Sequence, residues 1–437
     1  MYYYGRIFAA AGGRALKANE SSAHYESKVR ECTNFAVREI KKVCKEIGPR
    51  PSGEENESRA QDYVEKLMEP FADEVVRERF VLSPKAFMGW VLADGVMMLI
   101  SSALMILALS GAVPQAAVWL KAAALALSVI SLVFLLGEFL FYKKMLDPFF
   151  PKRESSNVLC IRKAAGKTKR RIIFAGHIDS AYEWRYTHLG GGKLLTKVII
   201  IGIASLVISL IIDVLSFFNF GFAADIALLV IQALMIPGFI LVLFFVNWKL
   251  CVDGANDNLT GVFASMAVLK YLSDNDIRFE NTEVMAVSTG SEEAGLRGAK
   301  AFAKAHSQQY SESGVETVFV AVDTLCDYDY MGIYNKDMSG TVKLDAQAAA
   351  MMKKASETAG LDLDYSSVFF GSSDAAAAQQ GKIKSVALAA MDPTPARYYH
   401  TRGDTAEALN IKTVEAGIKV MLETAFLFDE KGLLSEY

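Results

Sequence analysis

Hydrophobic residues follow two rhythms along this chain of 437 residues. Through most of it they recur at strand or helix spacing among polar residues. At residues 87–110, 116–142, 198–218 and 224–248 they run on without a polar face. A hydrocarbon core about 30 Å thick needs about 20 apolar residues as helix, and each run is long enough. A surface helix of a soluble core keeps a polar stripe; these runs do not, so they read as four transmembrane helices. The connectors "GAVPQ" and "NFGF" are short, giving two hairpins whose ends all return to one side of a lipid bilayer.

Charge orients that arrangement. Lys85, Lys143, Lys144, Lys152, Arg153, Lys193, Lys197 and Lys249 flank the spans on the side of the polar segments, against Lys121 alone on the other. By the positive-inside rule the polar body faces the cytoplasm. The five cysteines, Cys32, Cys44, Cys160, Cys251 and Cys326, are scattered, odd in number and without CxxC spacing, which fits a reducing compartment and argues against a disulfide framework or a thiolate zinc site. The opening stretch "MYYYGRIFAAAGGRALKANESS" has no apolar core of secretory length. Within the runs, Glu138 lies near the cytoplasmic end and Asp213 near the outer end, so interfacial solvation is expected for both. Asp94 also falls in a run, and Pro237 is expected to kink the fourth.

Hydrophobic residues make up 52% of the chain, an excess that the four runs absorb. A net charge of -3 leaves no electrostatic footprint for nucleic acid. The remaining sequence divides into an N-terminal part (1–86), a segment between the hairpins (143–197) and a long C-terminal part (249–437), with hairpins at 87–142 and 198–248. Residues 36–68 read as two helices broken by "IGPRPSGEEN". "DEVVRERFVL", "SSNVLCIRK", "RRIIFAGHID", "TEVMAVSTG", "ETVFVAVDTL" and "IKSVALAAMD" read as strands, and "SEEAGLRGAKAFAKAH" as a helix. Strands alternating with helices predict an α/β fold with a mixed, largely parallel sheet flanked by helices, whose sites lie at the carboxyl ends of strands.

Metal-capable side chains gather at those ends: His177 and Asp179 in "GHIDS", Asp257 in "GANDN", Glu292 and Glu293 in "GSEEAG", Asp323 in "AVDTL" and His400 in "YYHTRGD". Taken singly, each has an ordinary explanation. Asp257 or Asn258 could cap a helix, and two glutamates suit a helix N-terminus. Together, two imidazoles and three carboxylates suit two zinc-class ions with one carboxylate bridging, and a further carboxylate can serve as general base. His24, His188 and His306 match no ligand pattern and read as structural or surface residues.

The segments "IGPRPSGEENESRAQDYVEKLM", "GHIDSA", "GANDNLTG", "SEEAGLRGAKAF", "VDTL" and "YYHTRGDT" together resemble the M28 family of co-catalytic zinc peptidases, relatives of aminopeptidase Y and glutamate carboxypeptidase. The resemblance spans the polar body from about residue 36 to 437. It implies two zinc ions bridged by Asp257, one completed by His177 and Asp323 and the other by Glu293 and His400. It further implies a cis peptide between Asp257 and Asn258, Glu292 as general base and Asp179 orienting His177. Tyr399 is either a hydrogen-bond donor to the oxyanion or a buried aromatic beside the ligand. One departure is "GSSDAAAAQQG", where Ala375 replaces a histidine that many relatives carry after Ser-Asp, which alters substrate contacts near Ser373 and Asp374.

The expected activity is that of a membrane-anchored di-zinc exopeptidase, an aminopeptidase hydrolysing short peptides or aminoacyl amides through a metal-bridged hydroxide. The alternative is an amidase acting on lipid-linked or N-acylated amino acids at the membrane surface. A glutaminyl cyclase would use a single zinc, and a non-catalytic scaffold would not need the full ligand set.

Overall fold

The computed structural model describes residues 5–7, 28–368, 370–394 and 396–434. His24 and most of the opening stretch lie outside these residues. In chain order the helices are α1 (Val29–Glu46), α2 (Glu55–Met68), α3 (Ala86–Leu109), α4 (Ala117–Phe134), α5 (Arg185–Leu215), α6 (Phe222–Leu243), α7 (Thr260–Asp274), α8 (Arg297–Glu312), α9 (Ala346–Thr358), α10 (Asp374–Gln380) and α11 (Ile411–Lys431). The strands of the large sheet are β1 (Gly5–Ile7), β2 (Glu74–Leu82), β3 (Arg153–Arg162), β4 (Arg170–His177), β5 (Thr282–Thr289), β6 (Glu316–Leu325), β7 (Met331–Asp337), β8 (Val342–Lys343), β9 (Tyr365–Ser367) and β10 (Lys384–Ala390).

Two compact units form. One comprises Met1–Pro84, Lys152–Tyr182 and Cys251–Tyr437; the other comprises Lys85–Pro151 and Glu183–Leu250. In the first, the sheet runs β1-β2-β3-β5-β4-β6-β10-β7-β8, with β9 parallel on β7. β5, β4, β6 and β10 are mutually parallel, and β1, β2, β3, β7 and β8 join the sheet through antiparallel pairings. The parallel strands are apolar on both faces, as strands covered by helices on both sides must be. Along β4, Ile172 and Phe174 enter one core while Ile173 and Ala175 enter the other. Along β6, Val318, Val320 and Val322 alternate likewise with Phe319 and Ala321. The first core is closed by α1, α7, α9 and α11, the second by Phe302, Ala303 and Tyr310 of α8 and by α10.

Helix α7 is buried along nearly its whole length, which explains the absence of a polar stripe in "VFASMAVLKYL". It approaches β4 backbone to backbone. A Cβ on Gly176 would lie 2.4 Å from the Gly261 carbonyl carbon, and one on Gly261 would lie 2.1 Å from the Val322 oxygen. Only glycine fits at either place.

Two boundaries differ from those expected. α1 begins at Val29 rather than near 36, because Val29, Cys32, Phe35 and Ala36 continue the buried face by about two more turns. "SEEAGLRGAKAF" enters its helix only at Arg297, since Ser291, Gly295 and Leu296 take positive φ (55°, 95° and 60°) and hold the two glutamates in a turn.

In the second unit, α3, α4, α5 and α6 are long and apolar enough to cross a membrane. α4 continues as a wider helical turn over Leu135–Leu140. The third run starts at Arg185 rather than 198, which shortens the intervening catalytic segment; Gly190 and Gly191 break this helix near its start. The fourth ends at Leu243 rather than Trp248, and Pro237 sits within it. Asp213 and Glu138 are fully buried within the unit, against the interfacial solvation expected for them. Glu138 accepts from the Leu146 amide at 2.6 Å.

Candidate metal centre

The parallel strands deliver the site residues through register. His177, the last residue of β4, lies opposite Thr289, the last of β5, and Asp323 lies opposite Ala389 near the ends of β6 and β10. Glu292 and Glu293 follow β5 in the turn just described, and His400 follows β10. Asp257 comes from the turn before α7, entered through Gly254 at φ 60°.

In that turn the Asp257–Asn258 peptide is cis, and the two side chains do different work. Asn258 is the latch: its amide donates to the Val322 carbonyl at 2.9 Å, while its Oδ1 accepts from the Gly261 and Thr324 amides at 2.9 and 3.2 Å. Asp257 makes no such local bond and points at two imidazoles, with His177 Nε2 and His400 Nε2 each 3.1 Å from one of its oxygens. Asp404 fixes the turn by accepting from the amides of Asn256 and Asp257 at 2.8 and 3.0 Å.

Asp179, wholly buried, ties three segments together. Its carboxylate accepts from the amides of Glu292 and Glu293 at 2.9 and 3.1 Å and from Ser52 Oγ at 2.7 Å, and lies 3.4 Å from His177 Nδ1. Arg50 is also buried and donates to the carbonyls of Ile178 and Gly254 at 2.6 and 3.1 Å, binding the His177 loop to the Asp257 turn. Sequence reasoning assigned no role to Arg50, Ser52 or Asp404, although all three lie inside motifs it quoted. Asp374 accepts from Thr289 Oγ1 at 2.6 Å at the end of β5. The Tyr399 ring stacks on the His400 imidazole with centroids 4.0 Å apart. His306 stands apart from this centre, bonded to Glu78 at 2.8 Å.

Three overlapping groups have ligand atoms within 4.8 Å of one another: His177, Asp257 and Asp323; Asp257, Glu293 and His400; and His177, Glu292 and Glu293. Asp257 Oδ2 and Glu293 Oε1 are buried and, among the described residues, share one neighbour, His400 Nε2, at 3.1 and 3.3 Å, a crowding of carboxylate oxygens on one imidazole that a cation would relieve. Hard oxygen donors with two imidazole nitrogens are the set zinc takes. The residues therefore fit the ion.

The electrostatics agree. Burial pushes Glu292 well above the usual carboxylate range, with Glu293, Asp374 and Asp323 adding to it against His177. Burial likewise lifts Asp323 to about 7, assisted by Asp257. Asp257 goes the other way: burial would raise it, but His177 and His400 hold it below the ordinary range. For His400 burial disfavours the charged ring, yet Glu293 and Asp257 lift it to about 10. A ligand imidazole must be neutral, so at neutral pH the metal-free His400 has a proton to lose. Zinc uptake is expected to release protons near pH 7 and to tighten as pH rises towards 10. Titration calorimetry of the metal-free protein in buffers of different ionisation enthalpy checks this; a binding enthalpy independent of buffer would contradict it.

A mostly parallel sheet that gathers imidazoles and carboxylates at its strand ends is the fold of the zinc peptidases. Residues 242–425 match the family model of Peptidase family M28. A glutaminyl cyclase from Fimbriiglobus ruber aligns at 13% identity over 90% of this chain and 95% of its own, with a TM-score of 0.54. BSAP, a zinc aminopeptidase from Bacillus subtilis, aligns at 13% identity over 91% of this chain and 94% of its own, with a TM-score of 0.52. Both share the fold. An aminopeptidase from Aneurinibacillus sp. strain AM-1 aligns at 16% identity over 66% of this chain and 51% of its own, with a TM-score of 0.42, so this chain spans about half its length. No curated protein matches the chain.

Proposed function

We propose that the protein is a membrane-anchored di-zinc aminopeptidase acting on short peptides or aminoacyl amides. The observation that carries this reading is the overlap of two ligand groups on one residue. His177 with Asp323, and Glu293 with His400, each close around Asp257, and Glu292 is not needed to complete either set. Zinc held there would supply Lewis acidity to a carbonyl and a nucleophile at neutral pH. The chain's own residues do the rest. Asp179 accepts from the amides of both glutamates, a turn in which Glu293 would hold the ion and Glu292 would be left to reach the reacting water. Glu292 takes a proton from that water and hands it to the leaving amine. Asp179 also orients His177. Tyr399, stacked on His400, is the candidate donor to the developing oxyanion.

Full-length protein in detergent, loaded with zinc, is expected to release fluorophore from a panel of aminoacyl amides and to lose that activity with chelator. A panel that stays silent with zinc and with cobalt would sink the assignment.

The four apolar helices support anchoring, and the lysine asymmetry supports a cytoplasmic catalytic unit. A cysteine placed between Gly111 and Gln115 should react with an impermeant maleimide added to intact cells. Reaction only after lysis would reverse the topology.

A further inference from the structure

The unit formed by α3, α4, α5 and α6 contains a polar layer that anchoring does not require. Ser101 and Ser102 of α3, Ser128 of α4, Ser209 and Asp213 of α5 and Gln232 of α6 are all fully buried. Gln232 Nε2 donates to Ser102 Oγ at 2.8 Å and to Ser209 Oγ at 3.1 Å. Ser128 Oγ donates to Asp213 Oδ2 at 2.5 Å and lies 3.1 Å from Ser101 Oγ, which reaches the Ala124 carbonyl at 3.0 Å. Ser209 and Asp213 are one turn apart, so they share a face of α5. Apolar residues pack around it in two clusters, Met105, Leu109, Ala124 and Ile212 in one and Met98, Leu206 and Phe239 in the other.

Among the described residues, two oxygens in this layer meet no donor. Asp213 Oδ1 and Gln232 Oε1 are both buried without a hydrogen-bond partner. Lys121, the lysine of α4, donates to the Ser216 carbonyl rather than to the carboxylate. A charged carboxylate among apolar helices is expensive, and such residues survive where they meet a counter-charge or an ion. Serine hydroxyls could hold four helices together alone, and they would do so without an aspartate. A carboxylate oxygen, a carboxamide oxygen and hydroxyl oxygens are hard donors. With one negative charge in the layer, a monovalent ion leaves the site neutral, whereas a divalent ion leaves a surplus charge in hydrocarbon.

We propose that this layer is a binding site for a monovalent alkali cation, with Asp213 as counter-charge and Gln232 and the serines of α3 and α4 as oxygen donors.

The test uses the full chain in lipid nanodiscs, with radioactive sodium as the probe and potassium and lithium as competitors. Choline chloride keeps ionic strength constant. Saturable binding is expected, weakened at least tenfold in Asp213→Asn and several-fold in Gln232→Leu and in Ser128→Ala. The melting temperature should rise with sodium but not with choline, and lose that response in Asp213→Asn. Absence of saturable binding overturns the site. So does native-like affinity in Asp213→Asn, or, where that variant does not fold, in both other variants. Stabilisation that follows pH alone and ignores the cation also overturns it, since Asp213 would then be a neutral acid.

Discussion

Replacing Glu292 by glutamine should lower kcat by a factor of about 10²–10⁴, the usual worth of a positioned general base, or about 2.7–5.5 kcal/mol of barrier. The turn that holds Glu292 is built from its backbone: the Asp179 carboxylate accepts from its amide, and its carbonyl accepts from the amides of Gly295 and Leu296 at 2.7 Å. Glutamine leaves all of those bonds intact. Its side chain keeps the size of glutamate and loses the basic oxygen, which lies 3.8 Å from His177 Nε2. Burial raises the basicity of this carboxylate, which suits it to take a proton from water. Zinc content and KM should therefore change little while kcat falls. A merely structural glutamate gives the opposite pattern, with near-normal turnover and a lowered melting temperature.

Asp257→Asn should cost the metal itself. Asp257 is shared by two ligand groups, and its carboxylate stands between two imidazole nitrogens, each 3.1 Å away. Outer-shell changes alone commonly cost 10–100-fold in metal affinity, so a bridging ligand should cost more than about 100-fold. The fold should survive, because Asp404 holds the turn through the Asp257 amide, and Asn258 latches it to β6. Elemental analysis after gel filtration, beside circular dichroism, separates the effects. Native zinc content in a folded Asp257→Asn protein would remove Asp257 from the bridging role.

The sequence made the sheet legible because its central strands are apolar on both faces and short, a pattern that a helix of ordinary length does not share. It also exposed the candidate ligands, since His177 and Asp323 sit at the ends of such strands and the others lie in short motifs of the turns beyond. The turn from Ser291 to Leu296 was hidden, because its glutamates and alanine have helix-compatible spacing and only Gly295 hints at a break. Arg50 and Ser52 were hidden for another reason. Their partners lie more than a hundred residues away, at Ile178 and Asp179, and no local pattern marks a buried arginine. Depth within the apolar runs was misread too. Position along α5 puts Asp213 near an end, but Ser128 of α4 bonds to it with Ser101 of α3 behind that serine, and their contribution is invisible along one helix.

The measurement that bears most directly on the account is the mass of the product formed from a short peptide with N-terminal glutamine. A two-metal hydrolase with Glu292 as base adds water and releases free glutamine with the shortened peptide. A cyclase closes the glutamine side chain on its own amine and expels ammonia, leaving the peptide intact and lighter. The account predicts free glutamine and the shortened peptide, abolished by chelator and by Glu292→Gln. Ammonia release with the intact, cyclised peptide would contradict it.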